Sequence, residues 1–169
     1  ATRSRTRTAS ARGIRIDYRN PMSQGTRAHQ VAAYVVFDAP LVMLCDSPTR
    51  YMADEACTRF IASLPVVFDT TRVLAGEIGE YIVTARKRQD CWYVGGLTGW
   101  TPRTLDVDLS LLDPGREYTA TLLADDGRSA AEPARYVLST QRVTSATRLQ
   151  IPVAPGGGFA LKIEPADNK

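Results

Sequence analysis

Residues 76–100 read GEIGEYIVTARKRQDCWYVGGLTGW, with two apolar runs, Tyr81–Ala85 and Trp92–Leu97, on either side of the polar Arg86-Lys87-Arg88-Gln89-Asp90. β-Branched and aromatic residues suit a pleated, half-buried surface, and a polar insert gives the chain room to reverse. The stretch therefore predicts a pair of strands joined by a loop over 86–90. By strand parity Trp92 and Val94 share the core face, Tyr93 points the other way, and Trp100 falls in a loop.

Toward the C-terminus the period stays at two. Leu105, Val107 and Leu109 alternate with Asp106, Asp108 and Ser110, which predicts one dry and one wet face. Asp113-Pro114-Gly115 is a turn; Tyr118, Ala120 and Leu122 alternate with Thr119 and Thr121; Asp125-Asp126-Gly127 closes that strand. Arg135–Ser139, Arg148–Val153 and Phe159–Ile163 complete a set of seven or eight short antiparallel strands, the pattern of a β-sandwich over 66–165.

Toward the N-terminus the period is 3.6. Asn20 to Gly25 is rich in turn residues, Thr26 is placed to cap a helix, and positions 28, 31, 32, 35 and 36 repeat at i, i+3, i+4, i+7 and i+8. Pro40 breaks that helix, and Leu41–Cys45 reads as a helical turn. Ser47-Pro48 is a cap followed by proline at the first helical position. Asp54-Glu55 places acids at the start of a further helix ending near Leu64-Pro65, with one apolar face at 53, 56, 57, 60, 61 and 64. Residues 20–65 thus form a helical segment with more apolar surface than its helices can bury against each other. The fold class is α+β, mainly β, with helices first and sandwich second.

The 169 residues are 44% hydrophobic, enough for a real core. No apolar run approaches the ~18–20 residues that cross a bilayer, and the N-terminus shows no apolar signal-peptide stretch. The net charge of +3 is uneven: residues 1–19 hold Arg3, Arg5, Arg7, Arg12, Arg15 and Arg19 against Asp17. Setting these six of 21 basic and one of 18 acidic groups aside leaves 15 against 17. Such an arm can bind nucleic acid through phosphates, but no aromatic residues are interleaved for stacking, and the arm reads as a disordered tail. Residues 166–169 read as a second, short tail. Cys45, Cys57 and Cys91 form no CxxC, and with His29 as the one histidine they do not make a four-ligand zinc site; one disulfide is the alternative reading, and three buried free thiols are expected.

Individual chemical motifs are thin. Pro155-Gly156-Gly157-Gly158 enters a strand rather than a helix, so it reads as a tight connection and not a phosphate loop. Asp106 and Asp108 share a strand face and read as solvated. His29, with no nucleophile motif around it, reads as a structural helix histidine. Tyr93 and Trp100 are the candidate sugar-stacking rings, aromatic faces being suited to packing on pyranose C–H groups.

Read together, PMSQGTRAHQVAAYVVFDAPLVMLCDSPTRY (21–51), LPVVFDTTRVLAGEIGEYIVTARKRQDCWYVGGLTGWTPRTLDVDLSLLDPGREYTATLLADD (64–126) and VAPGGGFAL (153–161) resemble the C-terminal end of a glycoside hydrolase family 97 enzyme, over roughly residues 20–164. The family includes α-glucosidases and α-galactosidases. The resemblance implies a parent with an N-terminal β-supersandwich, a (β/α)8 catalytic barrel and a C-terminal oligomerisation β-sandwich, of which this chain holds the last helical part of the barrel and the sandwich. Phe68-Asp69-Thr70-Thr71 departs from the family pattern, which tends to have a tryptophan and an acid there; residues 1–19 have no counterpart.

The catalytic glutamates and calcium ligands of the family lie upstream. None maps onto Glu55, Glu77, Glu80, Glu117 or Glu132, so no catalytic, cofactor or metal residue is expected in this chain. Glycoside hydrolysis needs two carboxyl groups across a sugar site, held in barrels on the loops at the C-terminal ends of the strands. A non-catalytic accessory module is therefore expected, its partners the rest of the barrel or another copy of itself. The family's periplasmic or secreted setting is the implied location. A free-standing carbohydrate-binding module, and a nucleic-acid binder using the arginine arm, are the other readings.

Overall fold

The computed structural model describes residues 24–39, 44 and 46–166. The arginine arm, residues 20–23, residues 41–43 and Cys45 of the expected helical turn, and residues 167–169 lie outside the described residues.

Three helices come first: α1 (Arg27–Val36), α2 (Pro48–Ala53) and α3 (Glu55–Ala62). Thr26 and Ser47 are the expected caps, and Asp54, expected as an acid at the helix start, is itself the third. The Thr26 hydroxyl accepts from His29 N at 3.1 Å, Ser47 caps α2 with Pro48 at its first position, and Asp54 caps α3 by accepting from Cys57 N at 3.4 Å. Eight strands follow: β1 (Thr70–Glu77), β2 (Tyr81–Arg88), β3 (Cys91–Thr98), β4 (Arg103–Asp108), β5 (Tyr118–Ala124), β6 (Val137–Val143), β7 (Arg148–Val153) and β8 (Gly158–Pro165).

The strands divide six and two. One antiparallel sheet runs β1-β2-β3-β8-β5-β6, and β4 pairs with β7 in a small second sheet. Between the sheets lies the main core, where Val83, Ala85, Trp92, Val94, Tyr118, Phe159, Leu161 and Ile163 of the large sheet meet Leu105, Val107, Ile151 and Val153 of the small one. The expected alternation of Leu105, Val107 and Leu109 holds, with all three buried.

The opposite face of the large sheet is also dry. Tyr93, Leu123 and Ala160 project from it into a second core with Ala28, Val31 and Val35 of α1 and Cys57 and Phe60 of α3. The protein is thus three layers, small sheet, large sheet and helices, and the surplus apolar face of the helical segment is taken up by the sheet. Burial of Val31, Val35 and Phe60 contributes about 1.5–3 kcal/mol each as an upper figure.

Two expected boundaries move: the strand read at Arg135–Ser139 runs over Val137–Val143 instead, and the first hairpin turn is tighter than expected. The sequence places the hairpin loop at 86–90, but β2 continues through Arg88 and only Gln89 and Asp90 turn, with Gln89 at φ 53°. The polar run stays in the strand because Arg86 faces the helical layer, where its charge and stem find a dedicated site. Of the cysteines described, Cys57 is the buried free thiol expected, whereas Cys91 is free but only half-buried, at the start of β3.

Candidate functional site

The chemistry-bearing residues concentrate where the helices meet the sheet. Gly95 of β3 opens the space for α1: a Cβ there would stand 2.9 Å from the Val35 and Val36 side chains and 3.0 Å from the Ala32 carbonyl oxygen. Only a glycine admits a helix backbone this close to a strand.

At the N-terminal end of α1, Thr26 N donates to Gly156 O at 3.0 Å, Arg27 N donates to Pro133 O at 2.7 Å, and His29 Nδ1 lies 3.0 Å from Gly157 O. The glycine run 156–158 is therefore a strand connection, as expected, and also the seat of the helix start. Asp125, just past the end of β5, fastens this junction: its Oδ2 accepts from Ala154 N and Gly158 N, both at 3.0 Å. A Cβ on Gly157 would stand 1.9 Å from that oxygen. Oδ1 is buried without a hydrogen-bond partner. Burial pushes the Asp125 carboxyl above the usual range, against the opposing pull of Thr26, the Ala154 and Gly158 amides and His29.

At the other end of α1, Arg86 gathers the chain. Its Nη1 donates to Phe37 O at 3.0 Å, Nη2 to Asp38 Oδ1 at 2.7 Å and Nε to Thr71 Oγ1 at 3.1 Å, while the guanidinium lies 4.3 Å from the Phe68 ring centroid. A buried cation is tolerated because every face of the fork has a partner, and it sits where the helix C-terminus is electronegative.

Between these ends Asp54 joins three elements. It caps α3, accepts from the Tyr136 hydroxyl at 2.6 Å and pairs with Arg27 of α1. Burial, and then the hydrogen bond to Asp54, push the Tyr136 hydroxyl up to about 12; burial, and then the charge of Asp54, push the Cys57 thiol up to about 11. These groups are held neutral and inward, as packing and positioning groups are.

The residues weighed for catalysis or binding are dispersed. Tyr93 is 6% exposed, edge-on to Phe68 with ring centroids 5.6 Å apart, so as a sugar platform it is corrected to a core residue; burial pushes its hydroxyl up to about 12. Trp100 is 48% exposed in the loop after β3, lying against Gly156, and shares no face with Tyr93. Trp92 is a core anchor.

Asp106 accepts from Gln150 Nε2 at 3.1 Å and Asp108 pairs with Arg148, both across β4 and β7. His29 makes the structural contact expected of it. Glu55 pairs with Arg59 on α3, Glu80 with Arg103, and Glu132 with Arg135, while Glu77 and Glu117 are exposed. Among the described residues no three His, Cys, Asp or Glu side chains converge as metal ligands do.

One open groove of about 610 Å³ runs beside β1, walled by Phe37, Val73, Ile78 and Tyr81 with Glu77 and Glu80 at the β1–β2 turn. Its walls are mainly apolar. Arg86 and Asp125 were the residues that sequence reading missed. Arg86 stood in an apparent loop, and Asp125 carried the signal of a turn former; the available clue was an arginine directly following the apolar run of β2, where the strand could continue.

Residues 67–164 match the family described as glycosyl-hydrolase 97 C-terminal, oligomerisation. The chain is 48% identical over 147 residues to a retaining alpha-galactosidase of Bacteroides thetaiotaomicron, covering 87% of this chain and 22% of that protein. It is 31% identical over 136 residues to a probable retaining alpha-galactosidase of Streptomyces bingchenggensis, covering 79% and 20%. In structure it superposes on a family 97 glycoside hydrolase from Pseudoalteromonas sp. strain K8, solved with panose, with a TM-score of 0.84 and 27% identity over 93% of this chain and 26% of that one. The chain thus spans about a fifth of the length of the curated relatives it matches. With eight strands in two antiparallel sheets under the matched residues, the chain belongs to the C-terminal oligomerisation family of the family 97 glycoside hydrolases.

Proposed function

We propose that this chain is the non-catalytic end of a family 97 α-galactoside- or α-glucoside-cleaving enzyme, acting to brace the last helices of the catalytic barrel and to hold copies together. The observation that carries the reading is the shared second core. The sheet is sealed by α1 and α3 through Asp125, Arg86 and Asp54, while Phe37, Leu44, Met52, Val66 and Val67 around the helical segment stay exposed. Exposed apolar residues of this density mark a surface made to be covered. The inner side of the helical layer belongs to the sandwich, and its outer side fits the remaining barrel.

The carboxylates of this chain serve caps and cross-strand pairs, and the acid/base pair and any calcium site belong to the parent's barrel. The periplasmic or secreted setting of such enzymes is proposed with the same parentage. The pure 169-residue chain is expected to show no turnover of an aryl α-galactoside or α-glucoside. It is also expected to show no saturable change in tryptophan fluorescence with galacto- or maltooligosaccharides. Turnover above a buffer blank overturns the non-catalytic reading, and a saturable response through half-exposed Trp100 favours a carbohydrate-binding module instead.

A further inference from the structure

The large sheet has two edges, β1 and β6, and they are built differently. Natural sheets blunt free edges with bulges, charges or proline, because an unpaired row of N–H and C=O groups will pair with another chain. β1 is blunted by a bulge: its register against β2 shifts between Val73 and Ala75. β6 is not blunted. Its seven residues, VLSTQRV, pair with β5 in unbroken register from Tyr118↔Val143 to Ala124↔Val137 and include one charge and no proline. Val137 to Arg142 are exposed, and among the described residues no strand pairs with its outer edge.

The sequence of β6 is complementary to itself. An antiparallel pairing with a second copy about a two-fold axis at Thr140 overlaps all seven residues. It sets Val137 opposite Val143, Leu138 opposite Arg142, Ser139 opposite Gln141, and Thr140 opposite itself. On the face shared with the helices, the aliphatic stem of Arg142 meets Leu138. On the other face, the valine pair continues the core between the sheets, where Val143 is already buried. Centring the pairing on Arg142 instead sets like charges opposite, and centring it on Ser139 or Gln141 shortens the overlap to about five residues, so the Thr140 register is favoured.

We propose that β6 is the self-association seam: two copies of this chain join edge to edge about Thr140, making one continuous sheet across the dimer. This rests on the oligomerisation part of the function proposed above. A seam of one strand, about 20 Å long, is small, so association of the isolated chain is expected to be concentration-dependent.

Sedimentation velocity of the 169-residue chain over a wide concentration range gives the first reading, with a monomer–dimer equilibrium expected. Thr140→Lys and Thr140→Glu each place like charges across the axis and should weaken the dimer by at least about tenfold. Mixing the two variants should restore it, since lysine then faces glutamate. Circular dichroism checks that each variant is folded. If a charged variant does not fold, Thr140→Cys serves: paired Cα atoms at about 4.5–5.5 Å permit a disulfide, giving a covalent dimer on mild oxidation beyond any formed by the unaltered chain. Dimerisation unchanged by Thr140→Lys, or no cross-link gained through Thr140→Cys, overturns the seam while leaving self-association standing. A chain that stays monomeric throughout overturns self-association itself.

Discussion

Asp125 and Arg86 show how a single ionisable side chain comes to hold two layers together. Arg86 is 4% exposed and has a partner on each face of its fork, so its charge is compensated. Asp125 is less well served: one oxygen takes two backbone amides and the other takes none. Its raised pKa sets the sign of a pH effect. The folded state favours the protonated acid, so as pH rises through the unfolded value near 3.9 the unfolded chain loses its proton first and stability falls. The loss is complete above the raised folded value. Asp125→Asn removes that slope. Relative to the parent, the variant should gain stability between about pH 3.5 and pH 7 in urea unfolding, whereas an equal or growing deficit at pH 7 contradicts the assignment. The depressed pKa values of Asp69 and Asp126, set first by the amides of Gln89 and Arg128, are common to both proteins and cancel from the comparison.

At the scale of the element, α1 is held by fit more than by propensity. Ten residues are too few for a stable isolated helix in water, so its stability comes from Val31 and Val35 packed on the sheet and from anchored ends. The fit depends on the missing side chain at position 95. Gly95→Ala introduces a methyl 2.9 Å from two valine side chains and 3.0 Å from a backbone oxygen, so α1 must move off the sheet. Overpacking of this kind costs about 1–3 kcal/mol, read as a lower urea midpoint. Gly127→Ala is the control for the bare exchange of glycine for alanine, because a Cβ there meets nothing within 4 Å and the backbone is not in the left-handed region. If Gly95→Ala unfolds at the same midpoint as the parent, close approach is not what positions the helix.

For the whole molecule, the layer order makes the helical segment part of the sandwich's stability. The family match begins at residue 67, after the helices. Yet Tyr93, Leu123 and Ala160 are buried in a core they share with α1 and α3. A chain of residues 66–169 should therefore expose an apolar sheet face, bind a hydrophobic dye and melt well below the full chain. Equal melting temperatures for the two chains would falsify the shared-core account. A sheet dry on both faces needs a layer on each side.

The sequence by itself determined most of the elements, β1 excepted. The 3.6-residue period before residue 65 and the two-residue period after it are local properties, as are the caps at Thr26, Ser47 and Asp54 and the turns at Asp113-Pro114-Gly115 and Asp125-Asp126-Gly127. Trp92 could be assigned to the core by parity, and the family was legible in the quoted motifs. Tertiary structure alone decided the six-and-two division of strands, the covering of the large sheet by α1 and α3, and the placing of Asp125 and Arg86 at their joint. Nor could parity tell that the second face of β3 is dry, which left Tyr93 a candidate for sugar stacking, whereas its ring packs edge-on against Phe68. The physical reason is one of range. Periodicity and capping act within a few residues along the chain. The fate of a strand's second face, or of a charge such as Arg86, depends on contacts with segments tens of residues away, and its partners Phe37 and Asp38 lie 49 and 48 positions back.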